Sequence, residues 1–352
     1  MNYFKRIRKD RGYKKIPLKV LYFILLILIT IRLSAQDTKR DNMNTTKKNT
    51  MFKNIEFKSE GATLRGRLYF PEGVSKNLPV IIMAHGYSAT IEGMVADLYA
   101  EVFCHAGFAV LLYDHRNLGI SDGEPRQQIN RWTQARGIRD AVNFVITLPE
   151  IDSNKIGLWG DSMSGDEVIF VAAMDHRVKT VVAQVPACGR ELPPPDPDGS
   201  LFESLKNTFL HGDIEGTPET TLGPMPVVSF DQETIPSLLK PLTAYRWFIE
   251  YGCRYNTKWV NNATYVTPNV PTKFNSVLCI PHLKAAILMM VAYEDEMEGA
   301  NSDVARYAYK LAPEPKQLIE IDGGHFGLLF YPSKLFDEAT AAQTNFFIEH
   351  LK

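Results

Sequence analysis

The stretch Ile156-Gly-Leu-Trp-Gly-Asp-Ser-Met-Ser-Gly165 decides the fold. A short apolar run ends at Gly160, Ser162 follows two residues later, and Gly165 leads into a helix-like segment. A sharp strand-to-helix turn of this kind needs small neighbours, because a Cβ on either side would clash with the strand or the helix. Gly160 provides one, and Ser164, where the common pattern has glycine, is small enough to be tolerated. The stretch therefore predicts a nucleophile elbow, a turn that lifts a serine hydroxyl out of a sheet.

Apolar runs and amphipathic segments alternate on both sides of this turn. Such alternation predicts the α/β class, with a mostly parallel sheet and helices on both faces. An antiparallel hairpin is expected first, at Asn54–Ser59 and Thr63–Phe70. Further strands are predicted at Leu78–Ala84, Phe108–Tyr113, Ile156–Trp159, Val178–Val185, Ala285–Ala292 and Lys316–Ile321. The predicted helices are Met94–His105, Arg131–Leu148, Glu167–Met174, Asp303–Leu311 and Phe336–His350.

The alternation stops between Pro186 and His282, in a stretch that is rich in proline and aromatic residues and has no evident strand pattern. Because this stretch lies between two sheet strands, residues 186–282 are expected to form a cap over the site. Residues 51–185 and 283–352 then form the core. The cap aromatics either line an acyl pocket or pack against one another; they are Trp247, Phe248, Tyr251, Tyr255 and Trp259.

The N-terminal region has a different character. Eight basic residues between Lys5 and Lys19 precede the apolar run Val20–Ile31, and Leu33-Ser-Ala-Gln36 follows. A basic region, a short apolar core and a small-residue exit are typical of a secretory signal peptide, so residues 1–35 predict export to the periplasm or the exterior. The apolar run has twelve residues, fewer than the ~20 that a membrane-spanning helix needs. The alternative is that the segment is not cleaved and anchors the protein to the membrane. Residues 36–50 are polar and predict a disordered linker.

Composition limits the classes of partner. The chain has 352 residues and a formal net charge of -1, which argues against a nucleic-acid ligand, since phosphate binding needs a basic face. The four cysteines are widely spaced without a C-x-x-C pair, and they form no metal signature. Neither a dinucleotide-binding G-x-G-x-x-G nor a P-loop is present.

Three residues follow predicted strands in an order suited to nucleophilic catalysis. A serine hydroxyl becomes a nucleophile when a base accepts its proton and an acid orients the base. Ser162, Asp295 and His325 each lie just past a strand, at the carboxyl edge of the predicted sheet, where ligands bind in such folds. His85 and His115 also lie at strand ends, but only His325 occupies the final strand-to-helix turn.

The acid is chosen from three adjacent carboxylates, Glu294, Asp295 and Glu296. Asp295 is favoured because aspartate is the commoner acid and because it lies where the loop leaves the strand. Glu294 is the next candidate. The remaining charges are expected to be solvated.

An oxyanion formed in acyl transfer needs backbone N–H donors. One is expected from Met163, the residue after the nucleophile. The other is expected from Tyr87 in Ala84-His-Gly-Tyr-Ser88, where Gly86 lets the backbone turn towards the pocket. His85 is expected to brace this turn rather than to act as a second base.

With these positions identified, the chain resembles the α/β-hydrolase superfamily from about residue 54 to its end. It is most similar to the dienelactone-hydrolase-like and X-prolyl-dipeptidyl-peptidase-like branch, which includes uncharacterised bacterial hydrolases and fungal polyketide transferases and thiohydrolases. Six ordered segments carry the resemblance: residues 84–87, 113–125, 160–165, 291–295, 314–316 and 323–326. The departures are Ser164 and Asn117, each at a position where glycine is frequent.

The resemblance implies a triad of Ser162, Asp295 and His325, with Tyr87 and Met163 at the oxyanion hole, and no metal or organic cofactor. The expected function is hydrolysis of a small-molecule carboxylic ester through an acyl-enzyme. A peptidase, a thioesterase or an acyl transferase could use the same triad. A non-catalytic binding protein of this fold is the alternative from another class.

Overall fold

A computed structural model describes residues 52–73 and 76–352. The predicted signal segment and linker, residues 1–50, lie outside the described residues. Within the described ranges, no helix has the length and apolar character needed to cross a membrane.

The described chain begins with the predicted antiparallel hairpin. Strands β1 (Phe52–Ser59) and β2 (Ala62–Tyr69) pair along their whole length. The turn between them needs Gly61 with a φ of 74°, a left-handed conformation that glycine adopts without steric cost. The hairpin places β2 antiparallel to β4 (Ala109–Tyr113), at one end of the sheet.

The rest of the large sheet is parallel, as predicted. It contains β3 (Leu78–Ala84), β6 (Ile151–Asp161), β7 (Val178–Gln184), β10 (Ala286–Ala292) and β11 (Lys316–Ile321). The spatial order is β1-β2-β4-β3-β6-β7-β10-β11. β3, β4 and β10 are buried at every position, which explains their unbroken apolar sequences.

Helices cover both faces of this sheet. They are α1 (Ala96–His105), α2 (Arg131–Val145), α3 (Ser162–Met174), α4 (Ser200–His211), α5 (Leu242–Gly252), α6 (Ser302–Leu311) and α7 (Lys334–Leu351). α2 and α3 pack in the same core as Val80 and Ile82, whereas α1 and α7 pack with Ile81 and Met83. Alternate residues of one strand thus serve two separate cores.

The sheet reverses its winding direction at β3. The chain runs from β3 to β4 on one side and then to β6 on the other. At such a switch point the loops after the two neighbouring strands separate and leave a crevice at their carboxyl ends. The turn after β3 and the elbow after β6 therefore face each other there.

The segment between β7 and β10 contains regular structure that the sequence analysis missed. Besides α4 and α5, it holds β8 (Pro218–Met225) and β9 (Ala263–Pro268), which pair antiparallel. β9 also pairs in parallel with the short strand β5 (Gln128–Ile129) of the predicted core. These strands gave no evident pattern in the sequence because β8, with the sequence Pro-Glu-Thr-Thr-Leu-Gly-Pro-Met, is largely exposed and lacks hydrophobic alternation. The division into core and cap at residues 186 and 282 stays a prediction.

Candidate active site

Ser162 occupies a strained turn between β6 and α3. Its φ is 54°, which is uncommon for a residue with a side chain. α3 begins at Ser162, earlier than the predicted Glu167. A Cβ at Gly160 would lie 2.6 Å from the carbonyl carbon of Ser164, so only glycine fits there. Gly165 packs closely against the end of β7, where a Cβ would lie 3.1 Å from the Gln184 carbonyl oxygen.

The three side chains predicted as a triad lie in one hydrogen-bonded chain. The distance from His325 Nε2 to Ser162 Oγ is 2.8 Å, and the distance from His325 Nδ1 to Asp295 Oδ2 is 2.7 Å. The second carboxylate oxygen of Asp295 accepts the Met297 N–H at 2.9 Å, which fixes its rotamer. The side chains of His325 and Asp295 are each only 2% exposed. This arrangement can orient the imidazole and accept a proton from the serine.

The neighbouring carboxylates differ from each other in their surroundings. Glu294 is exposed. Glu296, expected to be a solvated charge, instead accepts the backbone N–H of His325 at 2.8 Å and the Thr243 hydroxyl at 2.6 Å. Because Thr243 belongs to α5, this carboxylate links the inserted segment to the histidine loop. Gly324, which lies beside this carboxylate, has a φ of 70°, a left-handed conformation that glycine adopts without steric cost.

The turn after β3 lies against the elbow. The N–H of Gly86 donates to Asp161 Oδ1 at 3.0 Å, and a Cβ on Gly86 would lie 2.9 Å from the Ser162 Cβ. Glycine is therefore required for the close approach of the two backbones. Tyr87 and Met163, the predicted oxyanion-hole residues, line the same cavity as Ser162.

A buried polar cluster behind the elbow was not predicted as such. The Ser164 hydroxyl donates to the His85 carbonyl oxygen, and it lies 3.0 Å from His115 Nε2 and 2.9 Å from Glu167 Oε2. All four residues are buried. Burial lowers the pKa of His115 to about 4 and raises the pKa of Glu167 to about 8. The signal in the sequence was Ser164 itself, a hydroxyl where glycine is common.

The loop after β4 is fixed by buried polar contacts. The Asp114 carboxylate accepts the N–H groups of Ile91 and Ile120, each at 2.8 Å. Asn117 has a φ of 73°, a left-handed conformation that asparagine tolerates better than most residues. This explains how asparagine can replace the more frequent glycine.

Ser162 and His325 line a cavity of about 730 Å³. Its apolar wall comes mainly from the inserted segment, through Leu222, Met225, Pro236, Leu238, Leu239, Pro241 and Tyr265. The three cations of the cavity lining each lie beside a carboxylate: Glu298 lies 2.7 Å from Arg190 and 3.7 Å from Lys240, and Arg131 pairs with Asp166. The cavity can therefore receive an apolar chain next to the serine.

The cap aromatics serve mainly in packing. Trp247 and Tyr251 are buried, and Trp247 stacks on Phe326, the residue after the histidine, at 5.4 Å. Trp247 and Phe248 also border a small cavity of about 30 Å³ beside Ser162. Tyr255 is 93% exposed and lies away from the site.

Known proteins share this architecture. The α/β hydrolase GrgF from Penicillium sp. sh18 superposes with a TM-score of 0.63 and 25% identity, covering 86% of this chain and 99% of that one. The chain belongs to the α/β-hydrolase superfamily. Within it, residues 60–191 match the X-Pro dipeptidyl-peptidase (S15) family.

Two relatives of this α/β-hydrolase extend the comparison. Thiohydrolase aneE from Aspergillus aculeatus is 39% identical over 181 residues, which are 49% of this chain and 55% of that protein. This chain thus spans about half the length of that relative. An uncharacterised 31.7 kDa protein from Escherichia coli is 26% identical over 83% of this chain and 97% of its own. The predicted resemblance is confirmed, and the matches support a hydrolase.

Proposed function

We propose that this protein hydrolyses a small carboxylic ester through an acyl-enzyme formed on Ser162. The single observation that supports this most is the chain of hydrogen bonds from Asp295 through His325 to Ser162, with distances of 2.7 and 2.8 Å, beside a cavity. With Nδ1–H donating to Asp295, the unprotonated Nε2 accepts the serine proton. The Ser162 oxygen then attacks the ester carbonyl carbon.

The proposed sequence continues with three further proton transfers, all of which involve His325. The N–H groups of Tyr87 and Met163 stabilise the tetrahedral oxyanion, and protonated His325 gives its proton to the departing alcohol oxygen. A water molecule that transfers a proton to His325 attacks the acyl-enzyme. The second tetrahedral intermediate then collapses: the bond to Ser162 Oγ breaks, protonated His325 returns its proton to that oxygen, and the carboxylic acid is released.

The cavity favours an apolar acyl group. Leu222, Met225 and Leu239 contribute apolar surface to a space that is large enough for a medium-sized ligand. The cations Arg190 and Lys240 are already paired with Glu298. These three side chains are largely exposed, so the ion pairs set no strong preference for the charge of the substrate.

Thioester hydrolysis is the second candidate, favoured by the 39% identity to a protein named a thiohydrolase. The same triad serves both reactions, and a thiolate leaves without needing a proton from His325. The match to the X-Pro dipeptidyl-peptidase family keeps an aminoacyl amide as a third substrate type to be tested.

The test uses a matched panel of acyl esters, acyl thioesters and aminoacyl amides, together with labelling by a serine-reactive fluorophosphonate. We expect labelling and ester turnover in the wild type, and a loss of kcat of roughly 10³-fold or more in Ser162→Ala. Ser204→Ala is the control, since the Ser204 hydroxyl bonds Thr272 within the inserted segment. A folded wild type that takes no label and turns over no substrate would favour a binding protein instead.

We also propose that residues 1–35 direct export, on the basis of the basic residues before Val20–Ile31. Intact mass of the protein isolated from its native host tests this. A mature N-terminus near Gln36 is expected. Full-length protein in the membrane fraction would indicate the anchor, and full-length protein in the cytoplasm would refute both versions.

A further inference from the structure

The elbow holds both ends of one peptide group in the turn after β3. The carbonyl of His85 and the N–H of Gly86 belong to the same peptide plane. Ser164 donates its hydroxyl to that carbonyl, and Asp161 accepts that N–H at 3.0 Å. Asp161 and Ser164 flank Ser162 in sequence, so the nucleophile and this peptide plane are fixed to the same short segment.

We propose that Ser164 is a positioning residue. Together with Asp161 it fixes the His85–Gly86 peptide, so that the N–H of the next residue, Tyr87, faces the oxyanion. This inference rests on the proposed function. Gly86 separates the fixed peptide from Tyr87, and glycine rotates more freely than any other residue. The next carbonyl, that of Gly86, accepts the Ala89 N–H at 3.2 Å. Because the His85–Gly86 and Gly86–Tyr87 peptide planes are both held by hydrogen bonds, the orientation of the Tyr87 N–H is fixed.

Hydrogen-bond counting shows how Ser164 is held in turn. A hydroxyl has one proton and two acceptor sites. Its proton goes to the His85 carbonyl, which can only accept. His115 Nε2 at 3.0 Å and Glu167 Oε2 at 2.9 Å are the other two hydrogen-bonding partners of this hydroxyl. The hydroxyl is thereby fixed from three directions in a site that excludes solvent.

The proposal predicts a loss of transition-state stabilisation without a loss of substrate binding, whereas general damage to the site would reduce both. An oxyanion donor acts in the tetrahedral state and not on the ground state. Ser164→Ala and Ser164→Gly should therefore lower kcat by roughly tenfold to 100-fold with KM nearly unchanged, since removal of a whole donor costs about 10²- to 10³-fold. Affinity for a boronic acid that forms a tetrahedral adduct should fall by a similar factor. Affinity for the carboxylate product should not change.

Control variants make the test specific. Thr340→Val deletes another buried hydroxyl, bonded to the Phe336 carbonyl in α7, and should leave kcat unchanged. Asp161→Ala should reproduce the Ser164→Ala pattern, whereas Asp161→Asn keeps an acceptor for the Gly86 N–H and should lose much less. The Asp161 pair also tests the proposal if the Ser164 variants do not fold.

Two outcomes would overturn the inference. One is an unchanged kcat in folded Ser164→Ala. The other is equal losses of boronate and product affinity, which would indicate general damage to the site. Both leave the proposed function intact as long as Ser162→Ala is inactive. Full activity in Ser162→Ala would instead remove the proposed function itself.

Discussion

Replacement of Glu167 by glutamine should stabilise the protein increasingly as the pH rises. Burial raises the pKa of Glu167 from 4.5 to about 8. Arg131 opposes this shift because it favours the charged form, whereas the nearby carboxylates Asp166 and Asp161 add to the effect of burial. Glutamine has the shape of the protonated acid, and its amide can donate to Ser164 Oγ without ever ionising.

The magnitude follows from proton linkage. Between pH 4.5 and 8 the folded state keeps a proton on Glu167 that the unfolded state releases. The contribution of Glu167 to stability is therefore full below pH 4.5 and is lost as the pH rises towards 8. The slope is about 1.4 kcal/mol per pH unit, so the stability of Glu167→Gln relative to wild type should rise by roughly 3 kcal/mol from pH 4.5 to 7.

Denaturant unfolding of both proteins at pH 5, 6, 7 and 8 measures this difference. Other titrating groups, such as Asp114, are common to both proteins and largely cancel in the comparison. Parallel stability curves over this range would refute the reasoning, because they would mean that Glu167 has the same pKa in the folded and unfolded states. A glutamine variant that is less stable by a constant amount would show that the carboxylate is needed in its charged form.

Three further predictions concern Asp295, Glu296 and Gly160, with matched controls for the first two. Asp295→Asn should lower kcat by ~10⁴-fold through the wrong imidazole tautomer, while Glu294→Gln stays near wild type in the same ester assay; equal losses would mean that the acid is misplaced. Glu296→Ala should lower kcat by roughly tenfold because two hydrogen bonds are lost. Glu296→Gln can keep one bond to the His325 N–H and one to Thr243, so its kcat should fall little. Similar kinetics for the two variants would contradict this prediction. Gly160→Ala should cost about 1–3 kcal/mol or more of folding stability, and an unchanged melting temperature would refute the predicted overlap with the Ser164 carbonyl.

Most of the large sheet could be predicted because β3, β4 and β10 are buried on both faces and β1 and β2 pair in a tight hairpin. β3 and β11 have the predicted bounds, and the hairpin forms around Gly61 as expected. Apolar runs are a local signal of burial, so the sequence contains this information directly. The three residues predicted as a triad could be proposed from the sequence because each lies within a few residues of the end of a sheet strand.

The inserted segment could not be predicted in this way. β8 is exposed along most of its length, and its pairing with β9 depends on backbone hydrogen bonds between residues that are distant in sequence. The roles of Ser164 and Glu296 were hidden for a related reason. Each depends on a partner that only the tertiary structure brings close: the His85 carbonyl for Ser164, and Thr243 and the His325 backbone for Glu296.

The parallel pairing of β5 with β9 has a consequence for how such chains diversify. Because Ile129 lies opposite Tyr265, the far end of the insertion is anchored to the sheet-forming part of the chain, while residues 218–241 supply most of the apolar cavity wall. A change in the length or composition of that stretch would remodel the wall and leave the strand ends that carry Ser162, Asp295 and His325 in place. Natural or engineered changes can thus alter the cavity wall without moving the predicted triad, provided that the pairing of β5 with β9 is kept.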